Sequence, residues 1–165
     1  MKELISSGLE ALGLTGSVPP DAAEKLAEYG RLLLEKNQVM NLTAITQPDQ
    51  VARLHMLDCA ALLNYVHLEG KTLLDVGTGA GFPGLPLKIL CPTLEVTLLD
   101  SLGKRVNFLQ TVCDDLGLAD VACIVLCEDA PLDEDARARA QEKGIAVLVS
   151  EENAYRLASR LSVLI

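Results

Sequence analysis

Apolar residues recur at helical spacing through the first seventy positions and then gather into short continuous runs. Pro19-Pro20 open a stretch in which Ala22, Leu26, Tyr29 and Leu33 line one face, with Asp21 and Glu24 in the first turn, where carboxylates favour a helix. The stretch ends near Asn37 to Thr43. Thr46-x-x-Asp49, with Pro48 between them, predicts the capped start of a second helix carrying Val51, Leu54, Leu57, Ala61 and Leu62 on its apolar side and closing at Gly70. From Lys71 the pattern changes. Strand-type runs at Thr72–Val76, Glu95–Asp100, Val121–Leu126 and Ile145–Val149 alternate with helical stretches near Gly84–Leu90, Gly103–Leu116, Asp133–Lys143 and Glu151–Leu161. Alternation of this kind predicts βαβ units, hence an α/β fold with a parallel sheet, helices on both faces and a ligand crevice beyond the carboxyl ends of the strands. The predicted organisation is a helical cap over residues 1–70 and a sheet domain over 71–165.

Composition narrows the class. The chain has 165 residues, half of them hydrophobic, which is enough to bury a core. There is no basic-then-apolar leader and no apolar run long enough for a membrane span, so a soluble cytoplasmic protein is expected. Five cysteines without a CxxC pair signal neither a disulfide framework nor a zinc knuckle and read as reduced, mostly buried thiols. Asn41-Leu42-Thr43 matches a glycosylation sequon but reads as a plain turn. The net charge of −9 opposes a generally basic nucleic-acid binder. Residues 71–118 hold four basic and five acidic side chains, against five and nine in each flanking segment, so the middle segment repels an anion least.

That middle segment contains "LLDVGTGAGFPGLP", Leu73 to Pro86, a buried-strand run that leaves its carboxyl end through four glycines. Glycine permits positive φ and lets a ligand touch the main chain. A phosphate-binding P-loop is excluded because no lysine stands in place. Gly79-x-Gly81-x-x-Gly84 formally matches a dinucleotide loop, with Pro83 placed awkwardly in it, and an NAD-linked oxidoreductase would further need a hydride-transfer residue that the sequence does not reveal. The third ligand class is S-adenosylmethionine, whose methyltransferases carry an acidic residue two before the first glycine, here Asp75 before Gly77. Asp100 ends the second strand 23 residues after Gly77, where a carboxylate can accept hydrogen bonds from both hydroxyls of an adenosine ribose. Its bland alternative is that Asp100-Ser101 caps the helix from Gly103. Glu128-Asp129 follows the third strand, where such folds reach the adenine amino group; a solvated acidic turn is the alternative.

"NLTAITQPDQVARLHMLDCAALL" (Asn41–Leu63), "LLDVGTGAGFPGLPLKIL" (Leu73–Leu90) and "LLDSLGKRVNFLQTV" (Leu98–Val112) together resemble the RsmG, or GidB, family of bacterial small-subunit ribosomal RNA guanine-N7 methyltransferases. The resemblance covers residues 2–118 in one collinear order. It implies a Rossmann-like methyltransferase fold, S-adenosylmethionine as cofactor, 16S ribosomal RNA in the small subunit as partner, and cofactor binding by Gly77, Thr78, Gly79, Gly81, Phe82, Asp100 and Ser101, with Cys127 and Glu128 against the adenine. Residues 120–165 depart from that pattern. Leu126 stands where the family has arginine, and the later Ser-Arg-Ala block is degenerate around Tyr155-Arg156 or Ser159-Arg160. This part is similar instead to the closing segment of DRTGG-type domains, so the sheet is expected to be truncated at its C-terminal side. A shortened or hybrid module that binds the nucleoside without methylating is the competing expectation.

Guanine N7 carries a free lone pair near neutral pH, so this reaction needs alignment rather than a general base. The absence of a catalytic His or Cys pair is therefore not evidence against it. His55 and Asp58, three apart on a helix, read as a locally hydrogen-bonded pair at the mouth of the site; two ligands are too few for zinc. Lys104 and Arg105, at the start of the helix after the second strand, are candidates for RNA phosphates, as are Arg53, Arg31 and Lys36 more weakly and Arg156 and Asn41 through the family blocks. With two Phe and three Tyr, stacking along a single strand is not indicated.

Overall fold

A computed structural model of the chain describes residues 1–118, 121–126, 134, 138, 146–152 and 156. The elements positioning the site are helices α1 (Lys2–Ala11) and α2 (Ala22–Asn37), the short helices α3 (Pro48–Val51) and α4 (Asp58–Ala61), strand β1 (Thr72–Val76), α5 (Gly84–Leu90), β2 (Glu95–Asp100), α6 (Gly103–Leu116), β3 (Val121–Leu126) and β4 (Ala146–Val149). All four strand runs read from the sequence are strands, within one residue at each end. The helical stretches expected at 133–143 and 151–161 fall mainly outside the described residues. No helix among the described residues is long and apolar enough to cross a membrane.

The sheet is parallel throughout and its order is β1-β2-β3-β4. Crossovers of one hand between strands added always on the same side place their helices on one face, and helices on both faces require the order to reverse. Accordingly α5 and α6 both pack against α2, and the expectation of helices on both faces is not met among the described residues. The cap lies on this helical layer. Ala22, Leu26, Tyr29 and Leu33 are all buried, as their spacing predicts, and each large apolar side chain so buried contributes about 1.5–3 kcal/mol. Asn37 ends α2 by folding the chain back: its Oδ1 accepts from the Leu42 and Thr43 N–H groups at 2.7 and 3.0 Å, and its Nδ2 donates to Thr43 O at 2.9 Å.

The second cap helix differs from its sequence pattern. Between α3 and α4 the residues Ala52–Leu57 form a π-helical stretch. Wider i→i+5 turns retard the helix phase, so the face that begins at Val51 continues through Ala52, Met56, Cys59 and Ala60, all buried. Leu54 and Leu62, expected inside, are 57% and 41% exposed. Nor does Thr46 cap the helix; Gln47 holds the N-cap position without a side-chain hydrogen bond.

Candidate functional site

β1 delivers Asp75 to the base of the glycine loop, where Asp75 is buried and its Oδ2 accepts from Thr78 Oγ1 at 2.8 Å and Gly84 N–H at 2.9 Å. One carboxylate oxygen thus ties the loop's first turn to the start of α5. Burial raises the Asp75 pKa above its ordinary value, against the opposing pull of those two hydrogen bonds. The loop's two ends have different surroundings. Gly77 and Gly79 hold φ of 73° and 60°, and a Cβ at Gly77 would meet nothing within 4 Å, at Gly79 only Gly77 O at 3.9 Å. Gly81, at φ 99°, faces inward: a Cβ there would strike Tyr29 Oη at 2.5 Å, Leu109 Cδ2 at 2.8 Å and Leu85 Cδ1 at 2.9 Å. The backbone at Gly77 and Gly79 is therefore a bare, outward cradle, and that at Gly81 is core.

Asp100 closes β2 beside this cradle and is 2% exposed. Its Oδ2 accepts from Gly79 N–H at 2.9 Å and lies 3.4 Å from Arg105 Nη1, while Oδ1 accepts from Leu102 N–H at 2.9 Å. Both readings of Asp100 therefore hold part of the geometry: it faces the glycine loop, and it also organises the turn into α6, whose N-cap is Leu102. The arginine contact is long, and Arg105 Nε is buried without a partner among the described residues. Val76 and Leu102, 45% and 40% exposed, present apolar side chains at the carboxyl ends of the same two strands. The main chain at Gly77 and Gly79 thus lies bare between apolar flanks, next to a buried carboxylate whose Oδ1 has one donor and whose Oδ2 has a short amide contact and a long arginine one.

The cap grips the loop from behind through stacked rings. Tyr29, fully buried, donates its hydroxyl to Ala80 O, and its ring stacks on Phe82 with centroids 5.2 Å apart; His55 also stacks on Phe82, at 4.5 Å. His55 Nε2 is hydrogen-bonded to Thr43 Oγ1 at 2.9 Å, which also accepts from Ile45 N–H at 3.1 Å. Here the expected His55–Asp58 hydrogen bond gives way to Thr43. Asp58 acts on His55 only through its charge, and desolvation, the larger effect, keeps the imidazole pKa below its usual value. Tyr29 and Thr43 support the loop and its ring stack, and neither is among the candidates expected from the sequence. The signal for Tyr29 was present, since a tyrosine in a wholly apolar stripe must find a partner for its hydroxyl.

Beside Phe82 and Pro83 lies a groove of about 440 Å³, walled by Leu54, Leu62 and Tyr65. A larger cavity, about 650 Å³, sits away from the loop against Leu14, Leu68, Cys91 and Thr93. Of the remaining candidates, Ser101 is half-buried at the β2 exit, and Asn41, Arg53 and Lys104 are exposed, their side chains making no hydrogen bond or ion pair among the described residues. Arg156 is exposed. Cys127 and Glu128 lie outside the described residues. Those residues hold no cluster of three or more metal-ligating side chains.

The family model described as "rRNA small subunit methyltransferase G" matches residues 22–140, which reaches beyond the 118 expected and into the segment likened to DRTGG domains. A protein of Alkaliphilus metalliredigens named ribosomal RNA small subunit methyltransferase G is 46% identical over 121 residues, 73% of this chain and 50% of its own. Proteins of the same name from Desulfitobacterium hafniense and Alkalilimnicola ehrlichii are 50% identical over 104 residues (63% of this chain, 43% of theirs) and 49% identical over 114 residues (69% and 50%). The chain spans about half the length of the curated relatives it matches. With an α/β parallel sheet, a bare glycine cradle at the exit of β1 and the matching family model over most of its length, the chain belongs to the rRNA small subunit methyltransferase G family.

Proposed function

We propose that this chain binds S-adenosylmethionine on the Gly77–Gly79 cradle and serves the methylation of guanine N7 in small-subunit ribosomal RNA. The observation that carries the reading is the open outward face of Gly77 and Gly79 beside the Asp100 carboxylate. The relatives' names and the family blocks support the rRNA substrate. When bound, S-adenosylmethionine supplies an electrophilic methyl on a cationic sulfur: the N7 lone pair takes the carbon, and the carbon–sulfur bonding pair stays on sulfur as a neutral thioether. The chain's residues hold and orient. Asp75 fixes the loop's shape through Thr78 and Gly84; the Tyr29–Phe82–His55 stack fixes its rear; Asp100 accepts from Gly79 N–H and would accept from ribose once the long Arg105 contact yields. No side chain has to remove a proton from N7, so rigid placement is the principal contribution. Such a substrate would place the protein in the cytoplasm.

The test is incubation of the purified protein with S-adenosylmethionine and small subunits lacking the modification, with N7-methylguanine read by mass spectrometry, alongside S-adenosylhomocysteine (SAH) binding by calorimetry. Binding with transfer is expected. Binding without transfer selects a nucleoside-binding module, and absence of both overturns the proposal.

A further inference from the structure

The groove beside the loop is walled by surface that a soluble domain ordinarily hides. Leu54 is 57% exposed, Leu62 41% and Tyr65 87%, and the first two are outside because the π-helical stretch turns the helix face. The loop contributes Phe82 and Pro83, so the groove and the nucleoside cradle share one segment. Apolar walls suit a flat ring. Among the groove's polar groups, His55 Nε2 is engaged by Thr43, and burial pushes the Cys59 thiol up to about 12, leaving it neutral. Asp58 is exposed, lines the groove, and has no hydrogen bond or ion pair among the described residues.

An ionised carboxylate only accepts, through two oxygens side by side. Guanine alone among the four bases places two adjacent donors, N1–H and the 2-amino group, on one edge. Adenine and cytosine pair a donor with an acceptor there, and uracil flanks its single donor with acceptors. Building on the function proposed above, we propose that this groove receives the guanine to be methylated and that Asp58 reads its N1–H and 2-amino edge. Held so, the base turns N7, on its opposite side, away from Asp58 and free to react. Methylation makes the purine ring cationic and its N1–H more acidic, so the hydrogen bond to Asp58 strengthens as the methyl arrives; an interaction stronger in the transition state than in the ground state accelerates the reaction. The target guanine must then be unpaired on its Watson–Crick edge, as RNA bases read by side chains usually are.

The full chain, saturated with SAH, is titrated calorimetrically with guanosine, inosine and adenosine 5′-monophosphates. Inosine lacks the 2-amino group and should fall between the other two. Asp58→Asn should lower guanosine monophosphate affinity roughly tenfold to a hundredfold and erase its advantage over adenosine monophosphate, with SAH affinity within about twofold of wild type. Tyr65→Ala should weaken all three nucleotides alike. An unchanged guanine preference in Asp58→Asn, no guanosine monophosphate binding at millimolar concentration, or loss of SAH affinity in Asp58→Asn would each overturn the proposal. Failure of the wild-type chain to bind SAH would instead overturn the function on which it rests, so the two failures are told apart.

Discussion

A methyl group added at Gly77 or Gly79 would meet almost nothing, whereas one added at Gly81 or Gly84 would strike Tyr29, Leu85 and Leu109, or Leu98 and Asp75. Eight residues of one loop therefore use glycine for two unrelated purposes. At the outer end glycine permits positive φ and leaves main chain uncovered; at the inner end it lets α2, α5 and α6 close over the loop. Both carboxylates are buried but serve different parts of the chain: Asp75 accepts from the loop's own Thr78 hydroxyl and Gly84 amide, while Asp100 joins the outer end of the loop to the turn into α6 through the Gly79 and Leu102 amides and a long arginine contact. The outer end leaves main chain uncovered, and the inner end is packed.

Substitutions at the inner end should therefore cost stability. Gly81→Val combines a left-handed φ with overpacking and should destabilise by about 3–5 kcal/mol, a fall in melting temperature on the order of 10 °C. Asp75→Ala strands the Gly84 N–H and the Thr78 hydroxyl in a buried site and should cost about 2–4 kcal/mol in denaturant unfolding. Asp75→Asn keeps an acceptor at the Oδ2 position and removes the buried charge, so it should be far milder. Its pH dependence is distinctive. Because folding raises the Asp75 pKa, the stability this group contributes is fully present below its ordinary value of 3.8 and is lost as pH rises through the raised one. Asn does not titrate, so the melting temperature of Asp75→Asn relative to wild type should climb from pH 3.5 toward neutrality; a constant difference would mean that the carboxylate is not perturbed. Tyr29→Phe keeps the ring stack but leaves Ala80 O without its donor, for a loss of about 1–3 kcal/mol. At the outer end, Gly79→Val should cost only the strain of a left-handed residue, about 1–2 kcal/mol.

Much of this division was legible in the sequence, and the exceptions have physical causes. Strand limits were clear because each is a short apolar run closed by turn residues, and α2 was clear because its spacing is uninterrupted over four turns. The acidic residue before the glycines marked Asp75, but not which way it points, since orientation depends on the strand's position in the sheet. An ideal helical period puts Leu54 and Leu62 inside; a π-helical stretch has no composition signal and shifts the face by about one residue. The ring stack escaped notice because Tyr29, His55 and Phe82 come from three separate elements. Strand order is likewise a long-range property: alternating β and α runs specify parallel pairing, not the side on which the next strand is added.

The proposed function depends on a nucleoside resting on bare main chain at the outer end of the loop. Calorimetric titration of the wild-type chain and of Gly79→Val with SAH tests it most directly, with thermal melting run on both. At least a tenfold loss of affinity is expected in a variant that still melts cooperatively; equal affinity in the two proteins would place the ligand elsewhere.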